Sequence, residues 1–222
     1  LIQNYDLRYE IFPNAGEIAA MSLFYKHFDQ PIERVIVPTI TGPVPQYTFA
    51  NAIGGAYDYG MEIEVRKKLD FISEKLSDFT FNGNLTLVNS KVNLEGLESA
   101  VSQKERRLQG QSPYTINVGL YYDNYDLGLS SNLLYNEFGD KISEVGSIGF
   151  SDIYEQGRAV FDFSISKTFL NNFEGKLQIR DILDEDVVFT QKFTLNDNQE
   201  VEKVIRRETT GTNFAFTLSY RF

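Results

Sequence analysis

The side chains of this sequence that could carry out chemistry are few and widely separated. The single histidine, His27, lies near Asp29 and Glu33, but a metal site or a catalytic triad would need further partners that cannot be identified. Cysteine is absent, which excludes disulfides, thiolate metal ligands and a cysteine nucleophile. Ser112 lies in no nucleophile elbow, and the Gly54-Gly55 pair lacks the lysine and the strand–loop–helix context of a phosphate-binding loop. We therefore predict that the protein is not an enzyme and holds neither a metal nor another cofactor.

Three clusters of charge could bind ions, but solvent-exposed surface is the simpler interpretation of each. Asp184-Glu185-Asp186 places three carboxylates in a row, and its spacing does not match a Ca²⁺-binding EF-hand loop. Arg106-Arg107 and Arg206-Arg207 could attract an anionic ligand or the phosphates of lipopolysaccharide. The formal net charge of −10 at pH 7 argues against nucleic acid as a partner.

Alternation of apolar and polar residues recurs along the whole chain and predicts about nine β-strands. The alternating segments are Tyr5–Ile11, Ala19–Tyr25, Tyr57–Val65, Phe79–Leu87, Tyr114–Tyr122, Leu127–Tyr135, Phe161–Ile165, Leu177–Ile179 and Phe214–Phe222. A tilted strand needs about nine to eleven residues to cross a bilayer, and the longer segments have this length. The predicted class is therefore all-β.

The last segment shows the pattern most clearly. Phe214, Phe216, Leu218, Tyr220 and Phe222 fall on one face of a strand, and the residues between them are small or polar. In water such a terminal strand would fray, whereas the last strand of an outer-membrane β-barrel closes the sheet and meets lipid with its apolar face. The pattern resembles the signal that the barrel-assembly machinery reads in outer-membrane proteins, and we expect these five residues to serve as that signal.

The predicted connections alternate between short and long. The short ones are residues 12–16, 123–126 and 170–172, with one of middling length at 67–78. The long ones are roughly residues 28–56, 89–113, 137–158 and 184–212. Transmembrane β-barrels have short periplasmic turns and longer extracellular loops. With a periplasmic C-terminus, every short turn lies in the periplasm and every long loop lies outside the cell.

No run of eighteen apolar residues exists, which excludes transmembrane helices but not a transmembrane barrel. In such a barrel the apolar face of each strand meets lipid and the polar face lines the lumen. We assign seven charged residues of the polar face to the lumen wall: Asp58, Glu62, Glu64, Arg66, Asp162, Lys176 and Arg180.

Four stretches of the chain share their order and spacing with a known family of barrels. They are Asn4–Glu17 followed by Leu23–Lys26, Tyr59–Glu64, Leu108–Tyr114 and Phe214–Phe222. Together they resemble the C-terminal barrel segment of TonB-dependent outer-membrane receptors of Gram-negative bacteria. The resemblance covers nearly the whole chain, although no single stretch is diagnostic. Arg180-Asp181 departs from the family, which often has Asn before the Asp at this point of the penultimate strand.

The resemblance implies a 22-stranded antiparallel barrel with an N-terminal plug domain. Residues 1–222 would form the C-terminal part of this barrel, and the plug and the first strands would be absent from the chain. The implied function is import of a scarce solute, namely a metal chelate, a glycan or a peptide. The implied partners are the TonB complex, contacted through the missing N-terminal part, outer-membrane lipid with lipopolysaccharide, and either a surface lipoprotein or another partner in an envelope complex. The alternative is a structural or accessory barrel subunit of a larger cell-envelope assembly, without transport activity of its own.

The odd number of predicted strands supports a segment of a larger barrel. Bacterial single-chain barrels have even numbers of strands, and here the first and last strands would run in the same direction and could not pair antiparallel. We therefore expect earlier strands to precede Leu1. A miscount by one strand would instead make the chain a complete small barrel.

Overall fold

A computed structural model describes residues 1–37, 46–97, 103–146, 150–170, 172–194 and 199–220. These residues form sixteen β-strands and two short 3₁₀-helices. Within them, no helix is long and apolar enough to cross a membrane. In chain order the strands are β1 (Ile2–Ile11), β2 (Ile18–Phe28), β3 (Ile32–Val37), β4 (Gln46–Asn51), β5 (Ala56–Lys68), β6 (Phe79–Asn93), β7 (Glu105–Arg106), β8 (Tyr114–Asn124), β9 (Leu129–Phe138), β10 (Lys141–Glu144), β11 (Ile153–Glu155), β12 (Arg158–Phe169), β13 (Phe173–Arg180), β14 (Val187–Thr194), β15 (Glu200–Glu208) and β16 (Asn213–Tyr220). The 3₁₀-helices are Leu69–Phe71 and Glu74–Leu76.

Nine strands form one antiparallel sheet, here called the wall. Each strand of the wall pairs with the strand of the wall that follows it along the chain, and the strands between them belong to the connections. The order is β1-β2-β5-β6-β8-β9-β12-β13-β16. These are the nine strands predicted from the two-residue period, and the prediction is confirmed. In the described residues β1 and β16 are the outermost strands of the wall and do not pair with each other, so the wall is a partial barrel.

The predicted alternation of short and long connections is also present in the wall. Residues 12–17, 69–78, 125–128 and 170–172 join strands at one edge, here called the short-connection edge. Residues 29–55, 94–113, 139–157 and 181–212 join strands at the opposite edge, here called the long-connection edge. The parity of an antiparallel meander places all connections of one kind at one edge.

The long connections contain seven strands that the sequence analysis described only as loops. β3 and β4 form a hairpin, β7 pairs with the end of β6, and β10, β11, β14 and β15 form a separate four-stranded sheet. These strands lack a clean alternation because several are charged or very short, as in β15 with its sequence EVEKVIRRE. Tertiary pairing, rather than local pattern, therefore defines them.

The register brings the apolar positions of the wall strands onto one face. Leu7 lies opposite Leu23, Leu23 opposite Met61, and Met61 opposite Leu87. This apolar face is uncovered in the described residues, and Leu7, Leu23 and Leu87 are all exposed. Water-soluble proteins rarely expose a continuous apolar surface of this extent, so the face is built to meet another apolar phase.

The hydrophobic core lies at the long-connection edge and not against the wall. Ala52, Ala56, Val92, Leu94 and Val145 form a cluster of buried residues, with Phe28, Ala50, Leu97 and Leu108 packed against it. The cluster joins the ends of wall strands to three of the long connections. Burial of apolar surface at about 25 cal/mol per Å² thus organises the connections into ordered structure.

Aromatic rings and a salt bridge mark the short-connection edge. The rings of Phe79 and Tyr122 lie 4.8 Å apart, and those of Phe173 and Tyr220 also lie 4.8 Å apart. At the turn between β1 and β2, the Lys67 ammonium donates to the Glu17 carboxylate at 2.8 Å and holds the pKa of Glu17 below its ordinary value. Aromatic residues near strand ends are typical of the interface between a bilayer and water.

Candidate functional site

The polar face of the wall carries a row of amides and carboxylates in direct register. Glu64 lies opposite Asn84, Asn84 opposite Asn117, and Asn117 opposite Asn136. The Asn136 amide donates to the Asn117 carbonyl oxygen at 2.7 Å. From the edge strand, the Arg8 guanidinium donates to the Glu64 carboxylate at 2.9 Å. The two-residue period places these side chains on the face opposite the apolar one.

A second row lies beside the first, and a groove of about 410 Å³ runs between them. Arg66 lies opposite Asn82, and Asp162 accepts a hydrogen bond of 2.9 Å from the backbone N–H of Asp181. Asn82 Oδ1 is buried and makes no hydrogen bond within the described part of the chain. Amide and carboxylate groups with free hydrogen-bonding capacity suit contact with a polar molecule or with water.

The seven predicted lumen residues all lie on wall strands, on the face that alternates with the apolar one. The structure brings Glu64, Arg66 and Asp162 together around the groove. Asp58 lies toward the long-connection edge opposite Lys26, while Glu62 lies opposite Ser22. Lys176 and Arg180 lie apart from the groove, opposite Thr217 and Asn213 on β16.

The predicted assembly signal forms the last edge of the wall. Phe214, Phe216, Leu218 and Tyr220 project from the apolar side of β16 and are exposed by 50–72%. Phe222 lies outside the described residues. β16 pairs on one side with β13, and its other side carries no strand in the described residues.

A buried ion pair fastens two long connections together. The Arg106 guanidinium on β7 contacts the Glu33 carboxylate on β3, and both side chains are almost completely excluded from solvent. Burial raises the pKa of the Glu33 carboxyl, and the Arg106 charge opposes this increase only in part. Arg106, interpreted from sequence as surface charge, is therefore an internal structural residue, and its partner lies 73 residues away.

Asp181 organises the turn that follows β13. Its backbone has a φ of 54°, in the left-handed region. Its carboxylate accepts hydrogen bonds from Arg158 at 3.1 Å and from Thr210 Oγ1 at 2.9 Å, and its carbonyl accepts from Thr212 Oγ1 at 2.9 Å. Asp tolerates the left-handed conformation better than most residues do. The Arg180-Asp181 sequence, which departs from the family pattern, thus supports a turn held by Asp181 Oδ2 and the Asp181 carbonyl, while Asp181 Oδ1 is buried and makes no hydrogen bond within the described residues.

The long connections enclose a cleft of about 890 Å³, here called the loop cleft. One side of the loop cleft is a face of the four-stranded sheet, where Tyr154 lies opposite Thr190 and Lys192 lies opposite Glu202. Residues outside the strands of this sheet complete it, among them Gln103, Arg107, Asp140 and Phe150. Sites of this volume are typical of small-molecule binding.

Hydrogen bonds fix the polar side chains of the loop cleft in place. Gln156 Nε2 donates to Thr190 Oγ1 at 2.6 Å, and Thr190 Oγ1 donates to Glu202 Oε1 at 2.6 Å. Asp152 accepts from the backbone N–H of Gly146 at 2.7 Å and from Gln103 Nε2 at 3.4 Å. Burial raises the pKa of the Tyr154 hydroxyl, and the nearby carboxylate of Asp152 raises it further.

The remaining charged clusters are engaged in local contacts. Glu185 accepts from the backbone N–H of Ala159 at 2.9 Å, and Asp186 pairs with Arg207 at 3.3 Å. Arg206 lies over the ring of Phe189 at 3.7 Å. No group of three or more potential metal ligands occurs among the residues that the structure describes.

Sequence reasoning missed the loop cleft, because its residues lie in segments interpreted as loops. The VVFTQKFT sequence of β14 is rich in β-branched and aromatic residues, and this signal could have identified a strand. One partner of that strand, β11, comes from another connection and leaves no local signal.

A partial barrel wall with one apolar exposed face, one polar face and ordered long connections defines the chain as a segment of an outer-membrane β-barrel. The sequence model of one family, described as TonB dependent receptor-like, beta-barrel, matches residues 2–181. The chain belongs to this family.

Solved structures of similar fold include the ferric citrate transporter FecA in its unliganded form and the copper transporter OprC. FecA matches 98% of this chain with a TM-score of 0.66 at 14% identity, and OprC matches 100% with a TM-score of 0.65 at 15% identity. The chain spans 31% of the length of each. A segment of 160 residues is also 26% identical to Colossin-B of Dictyostelium discoideum, covering 69% of this chain and 4% of that protein.

Proposed function

We propose that the chain forms part of the barrel wall and the outer loops of a receptor that imports a scarce solute across the outer membrane. The observation that carries this proposal is the wall itself, which within the described ranges has an uncovered apolar face, a polar face and no core against either. Only a bilayer on one side and an aqueous lumen on the other satisfy both faces at once. The solute is a metal chelate, a glycan or a peptide.

In this proposal the C-terminus and the short connections are periplasmic, and the long connections are extracellular. Residues 1–222 contain no cysteine, so single cysteines placed among them give a direct test in a full-length receptor from which any other cysteines have been removed. Ile53→Cys probes a long connection and Tyr125→Cys a short one, at positions that are 61% and 96% exposed. A membrane-impermeant maleimide should label only Ile53→Cys on intact cells and both variants after lysis. Labelling of Tyr125→Cys alone on intact cells would reverse the orientation.

In this proposal seven charged residues line the lumen: Asp58, Glu62, Glu64, Arg66, Asp162, Lys176 and Arg180. Transport depends on the TonB complex, which acts through an N-terminal plug. A strain lacking the full-length gene should grow poorly on one limiting nutrient from a panel of iron chelates, glycans and peptides. The gene should restore growth only in cells with functional TonB. Unchanged growth across the panel would contradict transport and favour an accessory role in an envelope assembly.

The terminal strand is the proposed contact for the barrel-assembly machinery, before its apolar face reaches lipid and lipopolysaccharide. Deletion of Phe222 should lower the amount of receptor in the outer membrane more than Phe81→Ala, which removes an aromatic residue in the middle of the wall. Quantitative immunoblotting of outer-membrane fractions measures both variants. Equal amounts of the two would count against a signal at the terminal strand.

A further inference from the structure

We propose that the loop cleft binds a neutral oligosaccharide. This inference rests on the proposed import function and deepens it by naming the class of solute. It depends on three properties of the cleft: the chemistry of its polar groups, its aromatic rings and its balance of charge.

The polar groups of the loop cleft match a ligand that carries many hydroxyls. Gln156, Thr190 and Glu202 form a connected chain of hydrogen bonds with two contacts of 2.6 Å. Carboxylates and amides have planar pairs of acceptors or donors, and such pairs suit the adjacent hydroxyls of a sugar ring. A carboxylate accepts from several donors at once, so Glu202 retains capacity beyond its internal bonds.

Aromatic rings in the same cleft supply the second element of sugar recognition. Tyr154 lies within the sheet face, and Phe150 is 61% exposed at the margin of the cleft. Pyranose rings have faces made of C–H groups, and these pack against aromatic rings while the hydroxyls at the ring edge reach polar groups. An exposed ring beside fixed carboxylates therefore fits a carbohydrate better than a purely apolar ligand.

The balance of charge disfavours an anionic chelate. The loop cleft has two cationic side chains, Arg107 and Lys192, and the carboxylates of Asp140, Asp152, Glu200 and Glu202. Lys192 already lies 3.8 Å from Glu200. The excess of carboxylates would repel a ligand with several negative charges, whereas it would not repel a neutral ligand.

Contacts within the protein hold the described part of the loop cleft in place before a ligand arrives. The buried pair of Arg106 with Glu33 fixes the residue that precedes Arg107, and Asp152 is held by Gly146 and Gln103. A pre-ordered site loses less conformational entropy on binding, which favours useful affinity for a flexible chain of sugars.

The test uses the full-length receptor purified in detergent and isothermal titration calorimetry. The probes are neutral hexasaccharides of α-glucan, β-glucan, mannan and galactan, with ferric citrate as the anionic chelate. We expect one hexasaccharide to bind, and we expect Phe150→Ala and Gln156→Ala each to weaken it about tenfold or more. Phe71→Ala removes an equally exposed aromatic residue at the short-connection edge and should leave the affinity unchanged.

The inference is overturned if no hexasaccharide binds, or if binding is indifferent to both cleft variants. Preferential binding of ferric citrate in the cleft would overturn it as well. Uptake of the bound sugar by cells with and without TonB is a separate measurement. Binding without TonB-dependent uptake would retain the inference and refute the import proposal, and TonB-dependent uptake of a different solute would do the reverse.

Discussion

The ion pair between Glu33 and Arg106 offers a sharp test of how the long connections are held together. The two side chains are only 5% and 2% exposed, so solvent screens their attraction weakly. Burial raises the pKa of Glu33, and the charge and hydrogen bond of Arg106 oppose that increase. Because desolvation offsets much of the attraction within a buried ion pair, we expect this pair to fix geometry while contributing little net stability.

Removing one partner and removing both should consequently have opposite effects. Arg106→Met leaves a buried carboxylate without its partner and should destabilise the connections by about 3–5 kcal/mol. Glu33→Leu combined with Arg106→Met removes both charges and should be neutral or stabilising by about 1–4 kcal/mol. The effect should be largest in the β3–β4 hairpin and β7, which carry the two charged side chains, and should extend to the end of β6, where Val92 lies opposite Arg106.

Hydrogen exchange with mass spectrometry on the full-length receptor measures the local change. A loss of about 3 kcal/mol corresponds to exchange that is about 150-fold faster in peptides covering residues 28–37 and 46–56. Peptides from β8 and β9 serve as the internal reference. The reasoning is refuted if Arg106→Met exchanges at the wild-type rate, or if the double variant is as labile as the single one.

The raised pKa of Glu33 also fixes the sign of the pH dependence of this assembly. Between the unfolded-state and folded-state pKa values the folded form binds more protons, so its stability falls as pH rises through that window. Acidification into the window should therefore slow opening, once exchange rates are corrected for their intrinsic pH dependence. Glu33→Gln should remove this response, and faster opening of the wild type at acidic pH would contradict the assignment.

Three further substitutions test the wall and its turns. Gly60→Ala should abolish the heat-modifiable folded band on electrophoresis, because the added Cβ would lie 2.1 Å from the Leu87 carbonyl oxygen. The control is Gly175→Ala, whose added Cβ would have its nearest contact at 3.6 Å and should leave the band unchanged. Equal behaviour of the two variants would contradict this prediction. Leu85→Arg on the apolar face should lower the free energy of unfolding by about 2–4 kcal/mol, measured by thermal or urea unfolding from lipid vesicles. The adjacent Asn84→Arg should lower it by less than 1 kcal/mol. The reverse order would mean that the polar face, and not the apolar one, meets lipid. Asp181→Ala should destabilise the receptor by about 2–4 kcal/mol in thermal unfolding. Asp181→Asn should destabilise it by less than half of that amount, because Asn tolerates the left-handed backbone conformation. Equal losses in the two variants would mean that only the charge of Asp181 matters.

Much of the wall could be predicted from the sequence because its signals are local. The two-residue period identifies each wall strand and the face on which a residue such as Glu64 or Phe216 lies. The alternation of connection lengths then places the connections at two edges. The terminal strand carries its pattern within nine residues, so the prediction needed no knowledge of what pairs with it. Both signals follow from the geometry of a single extended strand.

The organisation of the long connections was decided by tertiary structure alone. Arg106 reads as surface charge in the sequence and becomes buried because Glu33, 73 residues away, is brought against it. The loop cleft likewise combines Gln103, Asp140 and Tyr154 with β14 and β15, which come from three different long connections. Burial, pairing and the shape of a cleft depend on which distant segments meet, and this information is absent from any local period. The sequence alone therefore determined a membrane wall with two chemically distinct faces, and only packing at the long-connection edge determined where a ligand could bind.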